Sequence, residues 1–249
     1  MTPDSAEVRE ERALVWAGAA MLVVFLVSLV FCARFIPPPA PSRSAEEIAE
    51  QYREHQGGII LASILMLVAG TLFAPFCAVI SRLMRRIAGR PSALASTQFG
   101  CAVVNVVWFS MMAMFWMTAA YRTDRPPSEV QLFNDIGWLI MVVPTSAFIF
   151  QVLCLGVAIL TDPRESPLVP RWVGYYNLWS ATLYIPGMFS AFFMRGPIAW
   201  TGVASFYLEA VAFLLWLIVM TWVLLRTLTI RGPAPAVREQ KLAAPTQPA

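Results

Sequence analysis

Glu209, in SFYLEAVAF, is the acidic side chain that lies well inside an apolar run of this sequence. It sits about eight residues, on the order of 12 Å, in from one end of that run. A lone charge at such a depth in hydrocarbon costs about 2.5 to 3.5 kcal/mol or more, so the carboxyl is expected to be neutralised, paired or hydrated. The series Thr201, Ser205, Glu209, Ala212 and Trp216 sets a small and polar stripe on one helical face, which should turn into a bundle. Ser110, Thr145, Ser146 and Tyr184 fall at similar depth in other runs, together with Pro144 and Pro186-Gly187. Each proline frees a backbone carbonyl that a hydroxyl or a cavity can satisfy. Glu209, Ser205, Ser110, Thr145, Ser146 and Tyr184 therefore outline a candidate ligand-binding pocket, polar and opening outward. The same residues also fit a plainer arrangement, in which hydroxyls bond between helices and prolines merely kink them. Asn105, Gln151 and Asn177 lie deeper and read mainly as interhelical contacts.

The chemistry open to these groups is proton binding and hydrogen bonding rather than catalysis. A single carboxylate without a neighbouring base, nucleophile or metal donor is not a catalytic constellation. The chain has one histidine, His55, in a polar loop, and no G-x-x-x-x-G-K-[ST], strand-associated G-x-G-x-x-G or G-x-S-x-G. No catalytic residue, metal site or cofactor is expected, and the chain is expected not to be an enzyme. Cys77, Cys101 and Cys154 share a depth, but without a CxxC pair or a histidine they read as small packing residues. Met111, Met114 and Met117 invite a copper-relay reading, but gap-filling in a helix bundle is the better one.

The elements that must position these residues are transmembrane helices. The chain of 249 residues is 58% hydrophobic and 13% charged, with a mean hydropathy of +0.64, whereas soluble domains carry about 25% charged residues. Six runs reach the length of about 20 residues needed to cross a bilayer: Ala13 to Phe35, Ile59 to Ile80, Thr97 to Ala120, Ile136 to Leu160, Val173 to Met194 and Gly202 to Leu225. Trp16, Trp138, Trp172, Tyr175, Tyr176, Trp200 and Trp222 cluster near their ends, where amphipathic rings prefer the headgroups. The expected fold class is an all-α integral membrane protein: an antiparallel bundle of six transmembrane helices over residues 13–227, between tails at 1–12 and 228–249. The Pro- and Ala-rich C-terminal tail is expected to be disordered.

Arginine sets the orientation. With both termini cytoplasmic, twelve of the eighteen basic residues fall on the inner side, most densely in RLMRRIAGR at Arg82 to Arg90. The positive charge therefore serves topology and headgroups, and no nucleic-acid partner is expected. The first run exceeds a signal-peptide core and is followed by no A-x-A site, so it reads as a retained helix.

Between the first two runs lies RFIPPPAPSRSAEEIAEQYREHQGG, in an outer loop spanning 36–58. The prolines make a stiff spacer. Ser44 with Glu47 forms a capping box, and Ala45, Ile48, Ala49 and Tyr52 share one face of the helix that follows. This predicts a short extracytoplasmic amphipathic helix, ended by Gly57-Gly58, that lies on the membrane or covers the bundle's mouth. In the loop YRTDRPPSEVQLFND, Ser128 is expected to cap a further short helix.

The run PPPAPSRSAEEIAEQYREHQGGIILASILMLVAG, the RLMRRIAG turn and PRWVGYYNLW resemble an uncharacterised family of six-helix bacterial inner-membrane proteins, over most of Ile36 to Thr227. The resemblance implies a multi-pass location in the bacterial inner membrane and carries no activity, cofactor or site residue. No internal repeat is visible. Two functions follow: a non-enzymatic bundle that binds a lipid-like or small apolar ligand or another membrane protein, or a small proton-coupled transporter that uses Glu209. Its partners are expected to be membrane lipids and that ligand.

The orientation is directly testable. A cysteine at Gln51 is expected to react with an impermeant thiol reagent on intact cells and one at Arg86 is not; reversed labelling would invert the topology.

Overall fold

Length and apolar composition produce helices wherever the backbone can close its own hydrogen bonds, and the computed structural model, which describes residues 3–229, is all-α, with no strand among them. Helix α1 (Pro3–Leu26) continues into a π-helical turn, Val27–Cys32, and a proline-rich loop leads to α2 (Ala45–Glu54). Then come α3 (Gln56–Ala88), α4 (Ala93–Tyr121), α5 (Pro127–Val142), α6 (Ser146–Leu160), α7 (Arg171–Leu183) and the short α8 (Ile185–Met188). A second π turn, Val203–Tyr207, opens α9 (Leu208–Thr229).

Among the described residues five stretches are long and apolar enough to cross a membrane: Ala6–Cys32, Gln56–Ala88, Ala93–Tyr121, Pro127–Leu160 and Val203–Thr229. The run from Val173 to Met194 is not one continuous helix. Its α7 ends at Leu183, just before Pro186, and 13 residues of helix rise only about 20 Å against a core of about 30 Å. The segment 1–12, read as a tail, is helical from Pro3 and extends α1. At the other end α9 runs to Thr229, and the rest of the 228–249 tail lies outside the described residues.

Helix α3 is the axis of the bundle, packed along α4 and α1, while α6 lies on α4 and α7, and α9 on α1. The arginines of α3 do more than mark a topology. Arg82 and Arg86 both pair with Glu7 and with the fully buried Glu11 of α1. Arg164 joins the same end of the bundle through Asp162, at 2.9 Å, and the backbone carbonyl of Arg86, at 2.8 Å. The charges thus hold α1 and the α6–α7 loop to the end of α3. By contrast, Met111 and Met114 are exposed on the flank of α4, which is where they would meet lipid.

The opposite end is closed by α2. Its capping box forms: Ser44 Oγ accepts from the Glu47 N–H at 3.2 Å, and Glu47 Oε2 accepts from the Ser44 N–H at 3.0 Å. Ile48, Ala49 and Tyr52 are buried against the bundle while Glu46, Glu50 and Glu54 stay exposed. Tyr52 donates to Asn134 Oδ1 of α5 at 3.2 Å. Burial, helped by the charge of Asp135, pushes the Tyr52 phenol well up, so it keeps the donated proton at neutral pH. Phe35, Trp116 and Trp138 stack beneath it, with ring centroids 4.9 to 5.6 Å apart.

Two boundaries differ from their sequence signals. The break after α2 falls at His55, and Gly57 and Gly58 lie inside α3. Gly58 is needed for closeness, because a Cβ there would overlap the Cys32 carbonyl at the end of the first π turn. Ser128 does not cap α5. That helix starts at Pro127, behind Pro126, because proline suits a first turn whose N–H groups have no helical partner.

Replacing Ser44 with Ala is expected to cost α2 about 0.5 to 2 kcal/mol of local stability. The measurement is limited proteolysis, with faster nicking expected near the exposed Arg53; unchanged nicking would mean that docking of Ile48 and Tyr52 alone orders the helix.

Candidate functional site

Four interruptions of helical structure meet around one space. They are the π turn Val27–Cys32, the break at Pro144 between α5 and α6, the break at Tyr184 between α7 and α8, and the π turn Val203–Tyr207. Each contributes lining to a cavity of about 250 Å³: Leu29 and Val30 from the first, Thr145 and Tyr184 from the two breaks, Ser205 and Phe206 from the last. An interrupted helix leaves backbone groups without partners, and apolar surroundings make that costly. Side chains of the site answer it. Thr145 Oγ1 donates to the Tyr184 carbonyl at 3.0 Å, and Ser205 Oγ to the Ile198 carbonyl at 2.7 Å.

Glu209 serves the same break between α7 and α8 from the other side. Its Oε1 accepts from the Gly187 N–H in α8 at 2.9 Å, and the residue is 8% exposed. Glycine is required for this approach. A Cβ at 187 would overlap the carboxyl carbon and both oxygens of Glu209. Glu209 thus joins the start of α9 to α8, just past the end of α7, and no other carboxylate among the described residues lines the cavity.

The floor is aromatic. Phe25, Phe73, Phe109, Phe148 and Phe213 come from α1, α3, α4, α6 and α9, and Phe213 meets each of the other four at centroid distances of 5.4 to 6.4 Å. Edge-to-face packing holds rigid rings about 4.5 to 7 Å apart, which leaves space that flexible side chains would fill. Among the lining residues there is no Lys, Arg or His. Three lining residues keep polar atoms without a hydrogen-bond partner among the described residues: Asn105 Oδ1, Trp108 Nε1 and the Tyr184 hydroxyl.

Of the six residues singled out in the sequence, the structure brings Glu209, Ser205, Thr145 and Tyr184 together around the cavity and leaves two outside. Ser110 bonds back to its own helix at the Val106 carbonyl, 2.9 Å away, and Ser146 is exposed. A single residue rotates a helix by about 100°, so Ser110 turns aside next to the inward Phe109, and Ser146 next to Thr145. The chamber is also apolar rather than polar, and no residue of α2 lines it. Asn105 has a double part. Its Nδ2 donates to Gln151 Oε1 at 3.0 Å, and Gln151 in turn donates to Cys77 Sγ at 3.4 Å, while Asn105 itself borders the cavity. Asn177 is an interhelical contact, accepting the indole N–H of Trp216 at 2.9 Å. The signal that could have found the floor is one phenylalanine near the middle of each of five apolar runs.

The chain belongs to the family described as Domain of unknown function (DUF4386), which matches residues 16–226. No curated protein and no solved structure matches it.

Glu209→Gln keeps an oxygen for the Gly187 N–H and is expected to retain the thermal stability of the native protein. Glu209→Leu strands that donor, at about 1 to 3 kcal/mol, and Gly187→Ala drives the carboxyl out of place. Both should lower the melting temperature in detergent; equal stability of all three variants would show that the Glu209–Gly187 bond does not hold the helices together.

Proposed function

We propose that this DUF4386 member is a non-enzymatic, multi-pass protein of the bacterial inner membrane that binds a lipid-like or small apolar ligand in the cavity beside Glu209. The observation that carries the reading is the cavity itself, apolar, about 250 Å³, and bordered by polar atoms without hydrogen-bond partners among the described residues. A site of this kind gains from burying apolar surface, while a few fixed polar groups orient what is bound. In this reading α7, α8 and the 3₁₀ turn Ser190–Phe192 together form a sixth, broken span. The Arg82 to Arg90 end then faces the cytoplasm with both termini, and α2 is extracytoplasmic. The absence of catalysis is part of the proposal: Glu209 faces a backbone N–H rather than a nucleophile or a base.

A second reading has one specific observation behind it. Glu209 is the carboxylate of the cavity and stands where helices break, as a titrating group of a small proton-coupled transporter does. Docking of another membrane protein is a further use of the same bundle.

Mass spectrometry of the purified protein is the deciding experiment. A small apolar molecule is expected to be retained near one per chain and to be lost when Ala210→Phe fills the cavity. Retention of nothing, in native protein and variant alike, would remove the binding reading. Proton-dependent uptake of the retained molecule into liposomes, abolished by Glu209→Gln, would favour the transporter.

A further inference from the structure

Resting on the binding reading above, we infer that the cavity fills sideways from the bilayer, through the seam between the two π turns, and that its occupant is an uncharged single-chain lipid carrying a hydroxyl. The mouth identifies the route. Lining residues that are also exposed are Leu26, Val30 and Ile36 on the α1 side and Tyr207 on the α9 side, at 37 to 40%. Leu26 and Val30 belong to the span Ala6–Cys32, and Tyr207 to Val203–Thr229. The opening therefore looks into acyl chains rather than into water. Both of its walls are π-helical, and such turns are rare and recur at functional sites. Each wall already departs from the regular ladder of hydrogen bonds, so the seam widens without first breaking an intact helix.

Volume and charge identify the occupant. The cavity, about 250 Å³, lies between the ~150 Å³ that holds a benzene-sized molecule and the ~300 Å³ at which drug-sized sites begin. It accepts one chain and excludes a two-chain phospholipid. An anionic head would enter a chamber whose described lining residues include a carboxyl and no cation, where its charge stays uncompensated. An ammonium only donates. The groups present call for both roles: Asn105 Oδ1 is an acceptor in want of a donor, and the Trp108 indole N–H is a donor in want of an acceptor. Glu209 Oε1 is taken by Gly187, and Oε2 accepts no bond from the described residues. A hydroxyl both donates and accepts, and the Tyr184 phenol beside it does the same.

The test uses the full chain in lipid nanodiscs and a diazirine-bearing 1-dodecanol. Crosslinks are expected on residues 26–30 and 205–213, competed by 1-dodecanol and by farnesol, which separate a straight-chain from an isoprenoid source. Dodecanoate, dodecyl phosphate and dodecylammonium should compete at least tenfold more weakly. Val30→Trp, which narrows the mouth, should slow labelling at least tenfold, and Val23→Trp, on the exposed face of α1 away from the cavity, should not. Should Val30→Trp fail to fold, Leu26→Phe narrows the same opening. Equal competition by dodecanoate, or an unchanged labelling rate in the mouth variants, overturns this inference and leaves cavity binding intact. No crosslink to any lining residue, from the alcohol or from a diazirine alkane without a head, overturns the binding reading itself.

Discussion

A backbone that stops being helical inside apolar surroundings must find partners for the groups it frees, and the structure around Glu209 follows from that constraint. Four interruptions come together instead of being scattered, and side chains at two of them, together with Glu209 of α9, bond to freed backbone groups of neighbouring segments. Thr145 reaches the end of α7, Ser205 reaches the loop before α9, and Glu209 reaches across to the N–H of Gly187. Gly187 is the hinge of the arrangement, since any side chain there would occupy the volume of the carboxyl. The Glu209–Gly187 bond is thus a structural necessity that also puts the one carboxylate of the cavity at its wall.

The cavity is the consequence of what packs beneath those bonds. Rigid rings from four other helices converge on Phe213, two edge-to-face and two tilted, and the cavity lies against them. Of the residues that line the cavity, Asn105, Trp108 and Tyr184 keep polar atoms without a partner among the described residues. Unsatisfied polar groups next to unfilled apolar volume are costly twice over in a protein that only folds. The ligand proposed above, apolar along its length and polar at one point, would answer both costs.

The two ends of the bundle are closed by different forces. At the α2 end, apolar packing of Ile48, Ala49 and Tyr52 is fixed by single hydrogen bonds to α5 and by a stack of Phe35, Trp116 and Trp138. At the other end, charge does the work: Glu7 and Glu11 of α1 meet Arg82 and Arg86 of α3. Between these two closed ends lie the interruptions of the helices and the cavity they border.

The sequence by itself determined the all-α class, five of the six long apolar stretches and the cap of α2, because these depend on local properties: runs of apolar residues long enough to span, and a Ser44 to Glu47 spacing that closes a capping box within one turn. It also pointed to Glu209, Thr145, Ser205 and Tyr184, since a polar group deep in an apolar run is visible without a fold. Only the tertiary structure decided that Ser110 and Ser146 turn away, that Asn105 borders the cavity, that the stretch from Pro3 to Arg12 is helix tied to arginines some 75 positions away, and that the run from Val173 to Met194 is broken. The physical reason is rotation and distance. Depth along a helix can be counted from the sequence, but which way a side chain faces at that depth, and which distant groups meet it there, are set by how the helices lean on one another.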